Sequence, residues 1–168
     1  VTVSGDGIIF SDAVNADNAT NNDRTLTLNS SRASSGGTPS IAFSGAVGNS
    51  QALAGLTITQ SNGTNFLSTV DVSDSNSGTI TLTDTQDNKD INFFGNVTAD
   101  TFTTAAQGYD IFFFSDATFA NAVTFQNTGT LLLGDATSDT LTFNGGVTES
   151  TSGTVTIDGA IVSSDDAI

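Results

Sequence analysis

The 168-residue sequence contains no cysteine, histidine, methionine or tryptophan. Without cysteine there is no disulfide framework and no thiolate site. Without histidine the commonest general base and the commonest transition-metal ligand are missing. Proline occurs once, at Pro39, and tyrosine once, at Tyr109. Glu149 is the only glutamate and Lys89 the only lysine, so there is little from which to build an exposed helix. Positive charge is equally scarce. Arg24, Arg32 and Lys89 stand against 18 acidic residues, for a formal net charge of −15. Nucleic-acid binding needs clustered Lys and Arg to release counterions, and that need is unmet. Docking on an anionic membrane surface is disfavoured for the same reason. No apolar run approaches the roughly 18 residues of a membrane span. No signal peptide is visible, and the chain starts at Val1, which reads as a mature product or a piece of something longer.

The chain is instead rich in Thr, Ser, Asn, Asp and Gly, with Val, Ile, Leu and Phe as its apolar set. Thr, Val, Ile and Phe suit strands; Asn, Asp, Gly and Ser suit turns. Short alternating triplets run throughout: Val1-Thr2-Val3, Leu26-Thr27-Leu28, Ile41-Ala42-Phe43, Leu56-Thr57-Ile58, Val70-Asp71-Val72, Ile80-Thr81-Leu82, Ile91-Asn92-Phe93, Val123-Thr124-Phe125, Leu141-Thr142-Phe143 and Val155-Thr156-Ile157. A period of two makes one face of each strand apolar. Many short strands separated by turn residues predict an all-β fold. No linker divides residues 1–168, so the expectation is one continuous repetitive body. Asn15–Arg24 and Ser30–Ser40 read as exposed loops. Gln51–Leu56 is the one place where a helical turn fits.

Several phrases recur. Ile41-Ala42-Phe43-Ser44-Gly45-Ala46-Val47, Asp90-Ile91-Asn92-Phe93-Phe94-Gly95-Asn96-Val97 and Leu141-Thr142-Phe143-Asn144-Gly145-Gly146-Val147 share apolar-x-Phe-x-Gly-x-Val at intervals of 50 residues. A second phrase links Gly78–Asp84, Gly129–Asp135 and Gly153–Asp158. A third links Ile9-Phe10-Ser11-Asp12-Ala13 to Phe113-Phe114-Ser115-Asp116-Ala117. The tail from Val155 to Ile168 also lines up on the head from Val1 to Val14. Recurrence at such a period points to stacked or arrayed architecture. A parallel β-helix, in which coils stack and like residues line up, accounts for repetition; an antiparallel β-sandwich is the alternative. The hairpin signals that a sandwich would use are few: Asp6-Gly7, Asn62-Gly63, Asn144-Gly145 and Asp158-Gly159. A repeat of about 50 residues suits two coils better than one.

The phrases Ile41–Val47, Ala52–Thr59 and Ile91–Thr98, with Phe125–Gly134, resemble the β-strand repeats of large bacterial surface exoproteins. These are filamentous-haemagglutinin-like adhesins and autotransporter-passenger-type repeats. The resemblance covers about Ile8 to Ile161. It implies an extracellular or cell-surface location and a right-handed β-helix serving as stalk, adhesin or matrix fibre. The partners it implies are further copies, flanking repeats, and host or matrix glycans or proteins. It brings no catalytic residues. The secretion module typical of haemagglutinin-like proteins is not recognisable.

Two candidate sites follow from the residues. Asp84, Asp87 and Asp90 form an acidic turn just before the second copy of the Phe-Gly phrase. The turn reads first as solvated, with no cofactor; hard cations want several converging oxygens, so calcium is the alternative. The spacing is not that of an EF-hand, and the calcium-binding nonapeptide of β-rolls is absent. Asp135/Asp139 and Asp165/Asp166 are lesser acidic pairs. Phe94, Phe112, Phe114 and Leu132 fall on the outward side of the alternation, which marks either a partner surface or a covered face or bulge. Sequons begin at Asn18, Asn29, Asn62 and Asn96, as many as chance supplies in this composition. Lyase or hydrolase chemistry needs paired carboxylates on a groove or basic groups to stabilise charge. With three basic residues in all, the expectation is a structural protein and not an enzyme. A self-assembling filament subunit and a carbohydrate-binding or carbohydrate-cleaving β-helix are the alternatives.

Overall fold

A computed structural model describes residues 1–17, 24–31, 38–74, 77–150 and 153–164. Among these residues nineteen short strands follow one another in coils. The first coil has β1 (Thr2–Gly5) and β2 (Ile8–Phe10). The second has β3 (Thr25–Ser30) and β4 (Ile41–Phe43). The third is β5 (Gly55–Gln60), β6 (Thr64–Phe66) and β7 (Val70–Val72), and the fourth β8 (Thr79–Leu82), β9 (Asp90–Phe93) and β10 (Val97–Ala99). The fifth is β11 (Thr101–Thr104), β12 (Asp110–Phe113) and β13 (Ala117–Phe119), and the sixth β14 (Val123–Phe125), β15 (Leu131–Leu133) and β16 (Thr140–Phe143). The last is β17 (Val147–Glu149), β18 (Val155–Ile157) and β19 (Ala160–Ser163).

The strands form three walls, ordered β1-β3-β5-β8-β11-β14-β17, β2-β4-β6-β9-β12-β15-β18 and β7-β10-β13-β16-β19. The strand pairs in all three walls are parallel. In the first two coils the third wall is reduced to single bridges, Val14 to Val47 and Val47 to Val70. The result is a three-sided parallel β-solenoid of about six turns, not a sandwich. Strands of the first wall start at Thr2, Thr25, Gly55, Thr79, Thr101, Val123 and Val147, so one coil takes between 22 residues (Thr79 to Thr101) and 30 (Thr25 to Gly55).

Alternation explains both faces of each wall. Inward residues stack coil upon coil. Phe10, Phe43, Phe66, Phe93 and Phe113 form a continuous pile with ring centroids 4.6, 4.8, 4.8 and 5.0 Å apart. That spacing is the interstrand distance itself, so parallel in-register pairing imposes the ring stacking. Phe102 reaches across from the first wall and meets Phe93 and Phe119 edge-on. Outward on the first wall, Thr2, Thr27, Thr57, Thr81, Thr103, Thr124 and Thr148 lie in one unbroken register. β-Branched threonine suits a pleated surface while its hydroxyl stays solvated, which accounts for the threonine content.

The repeated phrases are local, and the structure separates them. Ile41–Phe43 and Ile91–Phe93 sit on the same wall two coils apart, as the 50-residue interval predicts. Leu141–Phe143 is on the next wall, where Phe143 stacks on Phe119. What the three copies share is a corner. An ideal Cβ on Gly45 would lie 2.4 Å from the backbone of Asp12, on Gly95 2.6 Å from Ser68, and on Gly145 2.2 Å from Ala122. Each glycine lets a corner press against the backbone of the preceding coil.

The Phe-Ser-Asp-Ala echo is offset by one residue. Phe10 belongs to the inward pile with Phe113, whereas its sequence counterpart Phe114 faces out. A slip of one residue exchanges the two faces of a strand. The head-to-tail match is out of phase too: Val1–Val3 leads the first wall, whereas Val155–Ile157 lies on the second. The rest of that match, Asp166–Ile168, lies outside the described residues. Gln51–Leu56 contains no helical turn; Leu53 is buried and the segment runs into β5. The Asn-Gly and Asp-Gly pairs mark corners between parallel strands and not hairpins.

Candidate functional site

The acidic turn is the corner between β8 and β9. Corner lengths differ sharply from coil to coil. Seven residues join β8 to β9 (83–89) and ten join β3 to β4 (31–40), but only three join β5 to β6 (61–63). Gly63, with φ of 86°, makes that tight corner feasible. The short third-coil corner thus sits between two longer ones, and a cleft opens on each side of Asn62.

One cleft, of about 230 Å³, is lined by Pro39, Asn62, Asn65, Lys89, Asp90 and Asn92. The other, of about 400 Å³, is lined by Ser30, Ser31, Gln60, Asn62, Asp84 and Asp87, with Ser61, Gln86 and Gln107 completing it. The three expected carboxylates are therefore divided. Asp84 and Asp87 share the larger cleft, and Asp90 faces the other beside Lys89. Among the described residues no three Asp, Glu, His or Cys side chains converge as a metal cluster. Asp87 Oδ1 also accepts a hydrogen bond from the Gly108 amide at 3.0 Å. Partial burial raises the Asp90 carboxyl above its ordinary range, and Asp110, its neighbour in register, adds to this while Lys89 opposes it.

Asn62 was legible as a chance sequon and as half of an Asn-Gly turn signal, yet it lines both clefts. Its backbone is fixed: the amide donates to Ser40 Oγ at 2.7 Å and the carbonyl accepts from the Ser40 amide at 3.2 Å. Its side-chain Oδ1 is buried and has no hydrogen-bond partner, and the same holds for Ser30 Oγ. Unpaired buried oxygens cost about 1–3 kcal/mol each, and both of these belong to residues lining the larger cleft. The sequence signal that could have found them is the three-residue corner between much longer ones.

Elsewhere the carboxylates work as struts between and within coils. Asp100 Oδ2 accepts from the Gly78 amide at 2.8 Å and Asp116 Oδ1 from the Thr140 amide at 2.8 Å. Asp139 Oδ2 caps its own turn by accepting from Asp135 and Ala136 amides at 2.9 and 3.0 Å. Asp165 and Asp166, like Asn18, lie outside the described residues. Among the remaining sequons Asn62 is buried and Asn29 half-buried; Asn96 is exposed, with Oδ1 accepting from Ser115 Oγ at 2.6 Å.

The outward aromatic row is present. Phe112 and Leu132 are paired in register on the outer face of the second wall. Phe94 and Phe114 stack at 4.9 Å with planes 7° apart, and Phe112 tilts against Phe114 at 5.9 Å. β6, β9, β12 and β15 pair here without a register shift, so no bulge produces the row. Phe94 is 44 % exposed, while the other three are half-buried against one another and the wall. Next to them the outer face turns polar: Asn92 donates through Nδ2 to Asn65 Oδ1 at 2.9 Å.

Fold and surface together define an all-β, three-walled parallel solenoid whose recognisable features sit on its second wall and at the corner leading into it. No protein family, curated protein or solved structure matches this chain. Among the described residues no helix is long and apolar enough to cross a membrane.

Proposed function

We propose that this chain is a structural segment of an extracellular fibre, stalk or adhesin at a bacterial cell surface. The supporting observation is the parallel pairing of strands in all three walls, in which each coil stacks only on its neighbours. Such a body grows along one axis by about 4.8 Å per coil, so about six turns make a rod on the order of 30 Å. Asp100, Asp116 and Asp139 hold corners through backbone amides, which is what a scaffold needs. The acidic surface keeps copies apart at low salt.

A second reading, a subunit that assembles into a filament, draws on the aromatic row: burying the Phe94 ring against a partner would be worth roughly 1.5–3 kcal/mol. Negative-stain microscopy of the purified chain separates the two. Separate single-chain particles support the stalk segment. Regular filaments that disappear when Phe94, Phe112 and Phe114 are replaced by Ser support the subunit. Irregular aggregates, with neither separate particles nor filaments, would overturn both.

A further inference from the structure

Leu67, Phe94 and Phe114 line up along the corner that follows the second wall. Each comes directly after an inward ring of the pile, so alternation turns it outward. Their amides donate to the carbonyls of Phe43, Phe66 and Phe93 at 2.9, 3.0 and 2.9 Å, which ties each to the coil before. Leu67 is 53 % exposed and Phe94 44 %. Phe112 and Leu132 widen this ridge onto the wall. The same ladder continues with Gly134 and Asp158, whose amides donate to the Phe113 and Leu133 carbonyls at 3.0 and 3.2 Å. There the line changes from apolar to acidic. Asp116, two residues after Phe114, and Asp135, next to Gly134, are both exposed. Asp110 stands on the outward face of β12, two residues before Phe112. Of the described bases, Arg24 is bound to Asp17 and Lys89 adjoins Asp90, so neither follows this line.

A second copy of the chain is a poor occupant. A whole aromatic side chain buries about 150–250 Å². Five residues with about half or less of their surface open supply well under the ~800 Å² per partner of a stable interface. A copy also brings the same net charge of −15 to an acidic rim. The occupant must add attraction between charges to the little apolar area on offer. We propose that this acid-rimmed ridge docks a basic partner polypeptide, an extended segment that is apolar at one end and carries Lys or Arg at the other. At about 4.8 Å per coil, Leu67 to Asp158 spans about 19 Å, the length of about six extended residues. The apolar end covers Leu67 and Phe94. The basic end reaches Asp135 and Asp158, where arginine makes charge-assisted hydrogen bonds with carboxylates. This goes beyond the stalk reading and does not rest on it; it competes with the filament reading for the same rings.

The test titrates the whole chain into a fluorescent peptide, Leu-Ser-Leu-Ser-Arg-Ser-Arg, at about 0.15 M salt and reads anisotropy. Saturable binding is expected, weakened several-fold at about 1 M salt by screening. Peptides with Ser in place of Leu, or Glu in place of Arg, should not bind. In the protein, Leu67→Ser combined with Phe94→Ser weakens binding about tenfold. Both side chains are exposed, and circular dichroism checks that the variant keeps its fold. Asp158→Asn weakens binding measurably, whereas Asp84→Asn, the same charge change at the corner before the second wall, leaves it intact. No saturable binding up to about 1 mM overturns the proposal. So does equal binding of either control peptide, binding that the double variant leaves unchanged, or equal weakening by the two Asp variants. Sedimentation showing self-association that the double variant abolishes would give the ridge to a second copy and overturn it as well.

Discussion

Replacing Gly95 by alanine sets two effects of opposite sign against each other. Alanine restricts the unfolded chain, which by itself stabilises by about 0.4–1 kcal/mol where the native conformation tolerates it. At Gly95 the added Cβ would lie 2.6 Å from the Ser68 carbonyl carbon, 2.8 Å from its oxygen and 2.8 Å from the Thr69 nitrogen. All three are backbone atoms of the preceding coil, so no rotamer change relieves the clash. Reaching ordinary contact near 3.4 Å means separating the coils locally by about 0.8 Å (3.4 − 2.6). The coils are held there by the Phe94 amide, which donates to the Phe66 carbonyl at 3.0 Å. Overpacking of this kind costs about 1–3 kcal/mol. For a chain of this length that lowers Tm by about 2–12 °C, before the smaller entropic gain is subtracted. Gly5→Ala is the matched control, because its Cβ would meet nothing closer than 3.9 Å. Melting by circular dichroism should show Gly95→Ala destabilised and Gly5→Ala neutral or stabilised. A Gly95→Ala protein as stable as the parent would refute the corner-to-backbone contact, and with it the account of why the Phe-Gly phrase recurs.

Phe93→Ala empties the middle of the ring pile, between Phe66 at 4.8 Å and Phe113 at 5.0 Å, and should cost about 3–5 kcal/mol in urea denaturation. Phe10→Ala, at the partly exposed end of the same pile, should cost clearly less; equal losses would contradict the stacking order. Tyr109 is fully buried, with its hydroxyl donating to the Leu82 carbonyl at 3.1 Å and accepting from the Ala105 amide at 3.0 Å. Burial pushes its pKa up to about 12. The unfolded chain therefore loses that proton first, near pH 10, and stability falls as pH rises from 10 to about 12. Tyr109→Phe should remove this part of the alkaline loss in a Tm-against-pH series, while lowering stability at pH 7 by about 0.5–1.5 kcal/mol.

Much of the fold was legible. The ten alternating triplets all contain or overlap strands, because period two is a property of a strand whichever wall it joins. β6 escaped notice because its inward first residue is Thr64, fully buried and donating to Ser61 Oγ at 3.2 Å, so the apolar pattern breaks. The outward placement of Phe94, Phe112, Phe114 and Leu132 was also legible, since parity alone decides it. The acidic turn was legible as composition, but its partners were not. Gln60, Asn62 and Ser30 come from other coils, more than 20 residues away, and meet Asp84 only after stacking.

By itself, then, the sequence determined strand content, the inward and outward faces, the scarcity of helix-building residues, and the glycine of the recurring Phe-x-Gly corner. Those are local properties, set by parity, sterics and composition. Tertiary structure alone decided which wall each phrase occupies. All three walls ask for the same apolar-x-apolar alternation, so position around the coil depends on the summed lengths of the corners. Those sums place Ile41 and Ile91 on one wall and Leu141 on the next. They also leave the third coil's corner short between longer neighbours, and so create the cleft.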